Sequence, residues 1–477
     1  MTSALLQECA DVCGSDAVVA EPAALLTYET DAFTLLPAAP EAVVFPRDTA
    51  QAAGVMRVLH RHGVPIVPRG AGTSLAGGTV AVDGGVCVCT SRMRDILCIN
   101  RRDRWARVQA GVVNLRLSRE PAVDGWQFAP DPSSQMVSTI GGNAATNAGG
   151  PHTLKLGVTT NHVLGVTLVL PDGQVAELGG GENAIEDVPG FDLRALAVGS
   201  EGTLGLITEI TVRLTRVAPA VHTALAVFHS IDDAAEAISG IIAAGILPAA
   251  LEMIDRLTLQ CVEEAFGFGF PRDAGAVLIV ELDGMAAGLE RQAERAAEIC
   301  RRRRCREIRV AHNDEERAEL WKCRKKAFGA YGRFGKACCT QDGVVPRTRI
   351  PDIVRFVDAV SRRFGLTIAM MMHAGDGNVH PVLMYDADDA DQVRRVLDAS
   401  SEILRECVRL GGTITGEHGV GIEKTEHLRE MFGAADLAAQ RTIRDVFDPD
   451  RRCNPHKVLA TGAACLERLR PAKGIAP

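Results

Sequence analysis

Two features of the sequence predict an α+β fold with more than one domain. The chain has 477 residues, which is more than one ordinary domain, and 47% of them are hydrophobic, enough for full-sized cores. Short strand patterns and glycine-rich segments fill the first half, and strands alternate with longer helices from about Val221 onward. We therefore expect a first domain over residues 1–220 and a second domain of α+β type over residues 221–445.

Hydrophobic periodicity places the individual elements. In the first half we expect a strand over Ala42–Phe45, a helix over Thr49–His62 and a strand over Val64–Val67. A hairpin over Val163–Leu170 and Gln174–Leu178 and a further β run over Leu204–Thr215 follow. In the second half we expect strands over Thr223–Phe228 and Ala276–Leu282 and helices over Ile231–Ala244, Met285–Arg303, Pro351–Phe364 and Asp389–Leu410. Turn signals at Asp448-Pro449 and Asn454-Pro455 predict that a tail over residues 446–477 returns to the first domain.

Composition and charge exclude several classes of protein. The net charge of −8 offers no basic excess for binding nucleic acid. The 14 cysteines include no CxxC pair, so we expect small buried residues in a reducing compartment and neither a zinc ribbon nor an iron–sulfur cluster. The N-terminus lacks a signal-peptide pattern, and no apolar run approaches the roughly 20 residues that span a bilayer. We expect a soluble, cytoplasmic protein.

Three histidines and a carboxylate lie in two glycine-rich segments near the C-terminal end. His373 and His380 flank Asp376-Gly377, and Glu417-His418 is bracketed by glycines. If Asp376-Gly377 is the two-residue loop of a hairpin, His373 and His380 are direct cross-strand neighbours on one face, with Cβ atoms ~5 Å apart. Two imidazoles and one carboxylate leave coordination positions open for a substrate. Histidines packed in a core are the alternative, but a core role explains neither their symmetric placing nor the glycines.

We assign different roles to the neighbours Glu417 and His418. In extended backbone, adjacent side chains point to opposite sides, so only one of the two is placed to bind an ion that His373 and His380 hold. A carboxylate suits the ion and an imidazole suits proton transfer. The expected metal ligands are therefore His373, His380 and Glu417, with His418 as the catalytic base. Such ligands suit Zn, Mn and Fe alike.

A glycine-rich loop follows the strand that ends near Val67. The loop reads Pro68-Arg-Gly-Ala-Gly-Thr-Ser-Leu-Ala-Gly-Gly78, and a loop of this kind after a strand offers backbone amides to a pyrophosphate. Leu75 stands where a nicotinamide-type Rossmann fingerprint needs its third glycine, and the Gly-Lys-Ser/Thr ending of a Walker loop is missing. Alone, the loop could be an irregular turn. Three further segments of small and hydroxyl-bearing residues, over 130–134, 139–150 and 199–205, favour a long, extended cofactor.

With both the histidine and Glu417-His418 motifs and the four glycine-rich or hydroxyl-rich segments, the chain resembles the flavin-linked oxidases of the vanillyl-alcohol oxidase type. Within them it is similar to the family of 2-hydroxy acid oxidases and dehydrogenases that includes the glycolate oxidase flavin-binding subunit and the D-lactate and D-2-hydroxyglutarate dehydrogenases. The segment 69–74 resembles the pyrophosphate loop of that family, and the histidine and Glu417-His418 motifs resemble its metal and base site. The resemblance implies a two-subdomain FAD-binding domain, completed by the tail, and an α+β cap domain with an antiparallel sheet. It implies the following FAD-binding residues: Arg69, Gly70, Ala71, Gly72, Thr73, Ser74, Pro130, Asp131, Ser134, Thr139, Gly141, Gly142, Asn143, Thr146, Gly150, Glu201, Gly202, Ile207 and Asn454.

The resemblance also implies how cofactor and substrate are held. Some members attach FAD through a histidine in the pyrophosphate loop, and the Thr73 segment of this chain has none, which implies noncovalent FAD. The segment 321–326 resembles the part of the cap that grips the substrate carboxylate. We choose Arg324 there because a guanidinium binds a carboxylate bidentately, and a solvated basic helix face is the alternative. Asn378 and His418 complete the expected substrate contacts.

These groups define a reaction. A 2-hydroxy acid such as glycolate or D-lactate would chelate the ion, His418 would take the hydroxyl proton, and hydride would pass from C2 to flavin N5, which leaves a 2-oxo acid. A noncatalytic flavin-binding subunit and a non-haem iron oxygenase are the rivals; the metal motif argues against the first and the flavin loop against the second. The expected electron acceptor is a quinone, an electron-transfer protein or an iron–sulfur partner. We expect a homo-oligomer or a glycolate-oxidase-like complex, which a partner could hold at the inner membrane face.

Overall fold

The structure is a computed structural model that describes residues 2–180 and 189–459. It divides into two units, the first made of Met1–Gly149, Gly157–Val217 and Glu417–Pro477 and the second of Gly150–Leu156 and Ala218–Gly416. The first long boundary falls close to the expected one after residue 220. The chain rejoins the first unit at Glu417, whereas the expected return was at residue 446. Residues 460–477 of the expected tail lie outside the described residues.

Two sheets form the framework of the first unit. One contains two parallel pairs and consists, in spatial order, of Val18–Val19, Ala42–Val44, Val86–Cys89 and Ile66–Arg69. The other is antiparallel and consists of Ile96–Asn100, Trp105–Gln109, Leu206–Arg213, Val163–Val169 and Val175–Gly179. A separate hydrophobic core packs against each sheet. The expected two-subdomain arrangement is therefore confirmed, as is the hairpin around Pro171-Asp-Gly173.

The longer helices of the first unit follow from capping and from apolar periodicity. The Asp48 side chain accepts a hydrogen bond from the Gln51 amide and begins the helix Thr49–Arg61. Ala52, Val55, Met56 and Leu59 are buried at helical spacing along it. The α-helices of this unit are Ser3–Cys13, Pro22–Leu25, Thr49–Arg61, Asn114–Arg119, Ile140–Thr146, Leu193–Ala197, Leu428–Met431 and Ala434–Phe447 among the described residues.

An antiparallel sheet forms the centre of the second unit, as expected for the cap domain. Its strands, in spatial order, are Cys305–Val310, Ala220–Phe228, Ala276–Gly284, Ala250–Asp255, Thr367–His373, Asn378–Tyr385 and Ala337–Thr340, and Gly343–Val344 also pairs with Asn378–Tyr385. Its described α-helices are Thr153–Leu156, Ile231–Ala243, Arg256–Phe266, Ala286–Arg302, Asp314–Lys325, Ala327–Ala330, Ile350–Phe364 and Ala390–Arg409. None of the described helices in either unit combines the length and the apolar character needed to cross a membrane.

Two elements of the second unit that carry site residues were not predicted from the sequence. The strand Ala250–Asp255 lies inside the sheet between Ala276–Gly284 and Thr367–His373. The helix Asp314–Lys325 begins at Asn313, whose side chain accepts a hydrogen bond from the Glu316 amide. Its first turn is acidic and its last turn basic, the distribution that the helix dipole favours.

Candidate functional site

The glycine-rich loop of the first unit offers a run of backbone amides. Among the described residues, none accepts a hydrogen bond from the amide of any residue between Gly70 and Ser74. These residues are partly exposed, and Gly72 has a φ of 71°, a left-handed conformation that glycine adopts without strain. Successive amides of this kind form a nest for anionic groups. The loop therefore fits the pyrophosphate of a dinucleotide.

Arg69 supports this loop from inside the protein. Its guanidinium donates to the carbonyl of Thr30 (3.0 Å) and to the hydroxyl of Thr79 (3.1 Å), and it stacks on Tyr28 with 5.5 Å to the ring centroid. A side chain at Gly72 would collide with the guanidinium, so the loop runs closely over it. The Arg69 side chain thus fixes the conformation of the loop.

A chain of buried amides links two more of the predicted FAD-binding segments. Asn143 Nδ2 donates to Asn114 Oδ1 (3.0 Å), and Asn114 Nδ2 donates to the carbonyl of Pro130 (2.9 Å). Thr139 caps the helix that contains Asn143, and a Cβ at Gly70 would lie 2.5 Å from the Thr139 hydroxyl. The first unit therefore brings the segments at 70, 130 and 139 together.

Glu201 and Asn454 hold backbone segments in place around the loop. The Glu201 carboxylate accepts the amides of Val420 (2.7 Å) and Gly421 (2.8 Å). Asn454 Nδ2 donates to the carbonyls of Gly78 (2.8 Å) and Glu201 (2.6 Å). Burial raises the pKa of Glu201 to about 7, although the two amides act in the opposite direction. Both side chains position the backbone around the glycine-rich loop.

The remaining predicted FAD-binding residues differ in their placing. Gly202 packs on Pro68 at the start of the loop, and Gly141 packs on Ala110. Ile207 is buried in the core against the antiparallel sheet. Gly150 begins the short segment of the second unit. The others lie on the segments just described, namely Ala71, Thr73, Ser74, Asp131, Ser134, Gly142 and Thr146.

His373 and His380 share one face of the second unit's sheet, but not in the expected register. Residues 374–377 separate the two strands, so that His373 pairs with Asn378 and His380 pairs with Met371. The predicted two-residue loop and direct His373–His380 pair were wrong, because the amides of Asp376 and Gly377 both bond to the His373 carbonyl and close a longer turn. The two histidines are diagonal neighbours instead, with ring centroids 5.1 Å apart.

Both rings are oriented through their Nδ1 atoms. His373 Nδ1 lies 2.5 Å from Glu252 Oε1, and His380 Nδ1 lies 3.3 Å from the backbone carbonyl of Gln341. Each acceptor favours the tautomer with the proton on Nδ1, which places the lone pair on Nε2. A histidine that donates from one ring nitrogen to a carboxylate or carbonyl is the usual form of a metal ligand. The pair therefore fits a divalent ion.

Arg324 is buried in the same cluster. Its Nε lies 2.8 Å from Glu252 Oε2, and its Nη1 lies 3.3 Å from Met371 Sδ. Only 8% of Arg324 is exposed, which overturns the alternative of a solvated basic helix face. Burial favours a higher pKa for Glu252, but its contacts with His373 and Arg324 outweigh burial and lower that pKa.

Asp342 organises the other side of the histidine pair. Its Oδ1 accepts from Asn378 Nδ2 (2.8 Å), and its Oδ2 accepts from the Thr415 hydroxyl (2.6 Å) and the Gly416 amide (2.9 Å). Bonding to a carboxylate fixes the orientation of the Asn378 amide. The Asn378 Oδ1 is buried and accepts no hydrogen bond from a described residue. Asp342 also anchors the chain at the residue that directly precedes Glu417.

Glu417 and His418 lie in a bend and not in extended backbone. Glu417 Oε1 is 4.0 Å from His418 Nε2. The prediction that their side chains point to opposite sides was therefore wrong. The flanking glycines allow the bend, and Gly419 has a φ of 85°. The assignment of Glu417 to the metal and of His418 to proton transfer therefore rests only on the chemistry of a carboxylate and an imidazole, and no longer on the direction of the two side chains.

Sequence reasoning missed Glu252 and Asp342. Glu252 is a single acidic residue inside the apolar run Ala250-Leu-Glu-Met-Ile254, and such a residue in a buried strand needs a partner. That signal was available in the sequence. Nothing in the sequence, however, relates Glu252 to His373, which lies 121 residues later.

Two families match the chain. Residues 40–179 match the FAD binding domain, and residues 217–458 match the family described as FAD linked oxidases, C-terminal domain. The chain is 39% identical over 443 residues to "Glycolate oxidase subunit GlcD" of Escherichia coli, which covers 93% of this chain and 88% of that protein. The protein of the same name from Bacillus subtilis is 39% identical, with coverage of 92% and 93%. "Probable D-lactate dehydrogenase, mitochondrial" of Danio rerio is 31% identical, with coverage of 88% and 84%.

Solved structures share the fold. p-Cresol methylhydroxylase has a TM-score of 0.82 at 16% identity and covers 96% of both chains. 4-Ethylphenol oxidase from Gulosibacter chungangensis has a TM-score of 0.78 at 18% identity, with coverage of 96% and 97%. At this identity the comparison speaks for the fold alone, and it confirms the fold class expected from the sequence, the vanillyl-alcohol oxidase type.

Proposed function

The chain belongs to the family of FAD-linked oxidases, and we propose that it oxidises a small 2-hydroxy acid to the corresponding 2-oxo acid. The observation that carries the proposal is the cluster on one sheet face of the second unit: Arg324, Glu252, His373, His380 and Asn378. A protein that only held FAD would have no use for a buried guanidinium beside two oriented imidazoles. Similarity to a glycolate oxidase subunit and to a D-lactate dehydrogenase favours glycolate and D-lactate as the first substrates to test.

Arg324 would bind the substrate carboxylate. Glu252 takes the Nε side of its guanidinium, so the two terminal nitrogens are the donors that a carboxylate would meet. The buried Oδ1 of Asn378 would accept a hydrogen bond from the substrate hydroxyl. Together these two residues would orient a 2-hydroxy acid by both of its polar groups.

His373, His380 and Glu417 would hold a divalent ion, Zn, Mn or Fe. His418 would act as the base and accept the hydroxyl proton on its imidazole, the side chain most often used for proton transfer. Bound ion and FAD would supply the rest of the chemistry, since an ion lowers the pKa of the hydroxyl and the flavin takes up the hydride.

The loop from Gly70 to Ser74 would hold FAD noncovalently, because it offers backbone amides and Thr73 but no histidine. Electrons would then leave to a quinone, an electron-transfer protein or an iron–sulfur partner. The word "subunit" in the names of the glycolate oxidase relatives favours membership of a complex. The alternative function, a noncatalytic flavin-binding subunit of such a complex, would need no substrate cluster.

A dye-linked turnover screen tests the proposal. Purified holoprotein is offered glycolate, both lactates, both 2-hydroxyglutarates and longer 2-hydroxy acids, and we expect at least one of them to bleach the flavin. A chelator should stop this reduction while the flavin absorbance and the melting temperature stay nearly unchanged, because an open three-ligand site contributes to turnover more than to folding. Added metal should restore it. Protein with full flavin content that is reduced by none of these acids would refute the proposal.

A further inference from the structure

Glu252 joins two groups that have different roles in the proposed reaction. One carboxylate oxygen lies 2.5 Å from His373 Nδ1 and the other lies 2.8 Å from Arg324 Nε. We propose that Glu252 is a positioning residue that couples the metal-binding imidazole of His373 to the substrate-binding guanidinium of Arg324. This inference rests on the proposed function. It means that the Glu252 side chain sets the position of the bound ion relative to the substrate carboxylate.

The chemistry of the two contacts requires a carboxylate. His373 Nδ1 donates a hydrogen bond to one carboxylate oxygen, whereas Arg324 forms an ion pair with the other oxygen and no aligned hydrogen bond from Nε, so the side chain between them must present an acceptor on one side and negative charge on the other. A carboxylate does so with its two oxygens, whereas a glutamine has one acceptor and one donor. Glu252 is 1% exposed, so water does not replace a lost contact. A glutamine at this position could satisfy His373 or Arg324, but not both.

The framework around Glu252 is suited to positioning. Glu252 pairs directly with His373 across neighbouring strands, so the two side chains stand on the same face. Its strand is flanked on both sides by other strands of the sheet, and the helix Asp314–Lys325 carries Arg324 to this face. A change in the Glu252 side chain should therefore alter the positions of both His373 and Arg324.

Glu281 offers a matched control. It is also 1% exposed, and it stands on the same face, on the strand beside that of Glu252. It also binds the helix Asp314–Lys325, through Arg317 (2.9 Å) and Trp321 (2.8 Å). Its further partners are Thr223 and His152, and none of its hydrogen bonds reaches His373 or His380. The two carboxylates thus share burial and helix docking, and they differ in the contact with the metal-binding pair.

The test compares Glu252→Gln with Glu281→Gln in FAD-loaded protein from which metal has been removed. Titration calorimetry with Zn²⁺ or Mn²⁺ gives the dissociation constant, and flavin absorbance and melting temperature report on the fold. We expect Glu252→Gln to weaken metal binding by roughly 10- to 100-fold, the usual effect of losing the partner of a ligating histidine. Glu281→Gln should lower the melting temperature and leave the metal affinity nearly unchanged. Equal metal affinities of Glu252→Gln and the wild type, or equal losses in both variants, would overturn the inference.

A double variant tests the coupling itself. In Glu252→Gln/Arg324→Met the glutamine oxygen has only His373 to satisfy, so metal affinity should recover relative to Glu252→Gln alone. No recovery would show that Glu252 acts on His373 without Arg324. Glu252→Asp keeps both acceptors at a shorter reach and should give an intermediate metal affinity, which keeps the test available if Glu252→Gln does not fold.

Failure of this inference is distinguishable from failure of the proposed function. If wild-type protein binds no ion, or binds it as well after His373→Ala and His380→Ala, the proposed metal site itself is wrong. If the histidine variants lose the ion and Glu252→Gln keeps it at wild-type affinity, only the positioning role fails.

Discussion

Replacement of Arg324 by methionine should remove substrate binding with little disturbance of packing. Methionine keeps a long apolar chain beside Met371, where the guanidinium of Arg324 now lies. Two hydrogen bonds from a guanidinium to a carboxylate would be lost, and each is worth about 1.5–3 kcal/mol. Because 1.36 kcal/mol corresponds to a factor of ten, kcat/KM for a 2-hydroxy acid should fall roughly 10²- to 10⁴-fold.

Arg317→Met is the control for this variant. Arg317 lies on the same helix and pairs with the buried Glu281, with Nη2 2.9 Å from Oε1. Glu281 would keep His152, Trp321 and Thr223 as partners. Both variants lose a salt bridge to a buried carboxylate, so both should lower the melting temperature. Only Arg324→Met should lower kcat/KM strongly.

Stopped-flow measurement of flavin reduction against substrate concentration provides the assay. Flavin content and melting temperature are recorded for each variant, so that loss of cofactor is separated from loss of substrate binding. A neutral analogue, in which the carboxylate is esterified, should distinguish wild type from Arg324→Met far less than the acid does. The reasoning is refuted if flavin-loaded Arg324→Met retains wild-type kcat/KM, or if Arg317→Met loses as much.

Three further predictions concern the base, the cofactor and a buried carboxyl. His418→Ala should retain FAD and ion and slow flavin reduction by roughly 10²- to 10⁴-fold, whereas Glu417→Ala should lose the ion. Stopped-flow kinetics with metal analysis checks this, and the opposite pattern would exchange the two roles. Acid precipitation should release yellow FAD into the supernatant, and flavin that stays with the pellet would contradict noncovalent binding. Because the folded-state pKa of Glu201 is raised from 4.5 to about 7, its contribution to the free energy of unfolding is greatest below pH 4.5 and is lost as the pH rises through 7. At 1.36 kcal/mol for each pKa unit the loss is about 3 kcal/mol, so wild type should lose stability relative to Glu201→Gln between about pH 4.5 and about pH 7. Parallel denaturation curves that show no such difference would contradict the raised pKa.

The sequence placed His373 and His380 on one face although it gave the wrong turn between them. The expected loop had two residues and the observed one has four, residues 374–377. Side chains alternate along a strand with a period of two, so a register shift of two residues leaves each side chain on its original face. A shift of one residue would have separated the histidines. The alternation of side chains is a local property of each strand, so the shared face of His373 and His380 was predicted correctly although the length of the turn was not.

Local patterns also sufficed for the fold class and for the segments around the glycine-rich loop. Apolar periodicity and caps act over a few residues, and they fixed helices such as Thr49–Arg61 and Ile231–Ala243 to within a residue of their observed ends. The glycine pattern at 70–74 identified a loop with amides that have no described acceptor. These features depend on near neighbours in the chain, which the sequence records directly.

Only the tertiary structure decided which side chains orient the proposed site. Glu252 meets His373 because two strands 121 residues apart pair in one sheet, and it meets Arg324 because a helix docks on that sheet face. The direction of Glu417 and His418 depended on a bend that glycine permits but does not require. Strand order, helix docking and the conformation of a glycine segment are set by long-range packing, since the local chain energy is similar for several alternatives.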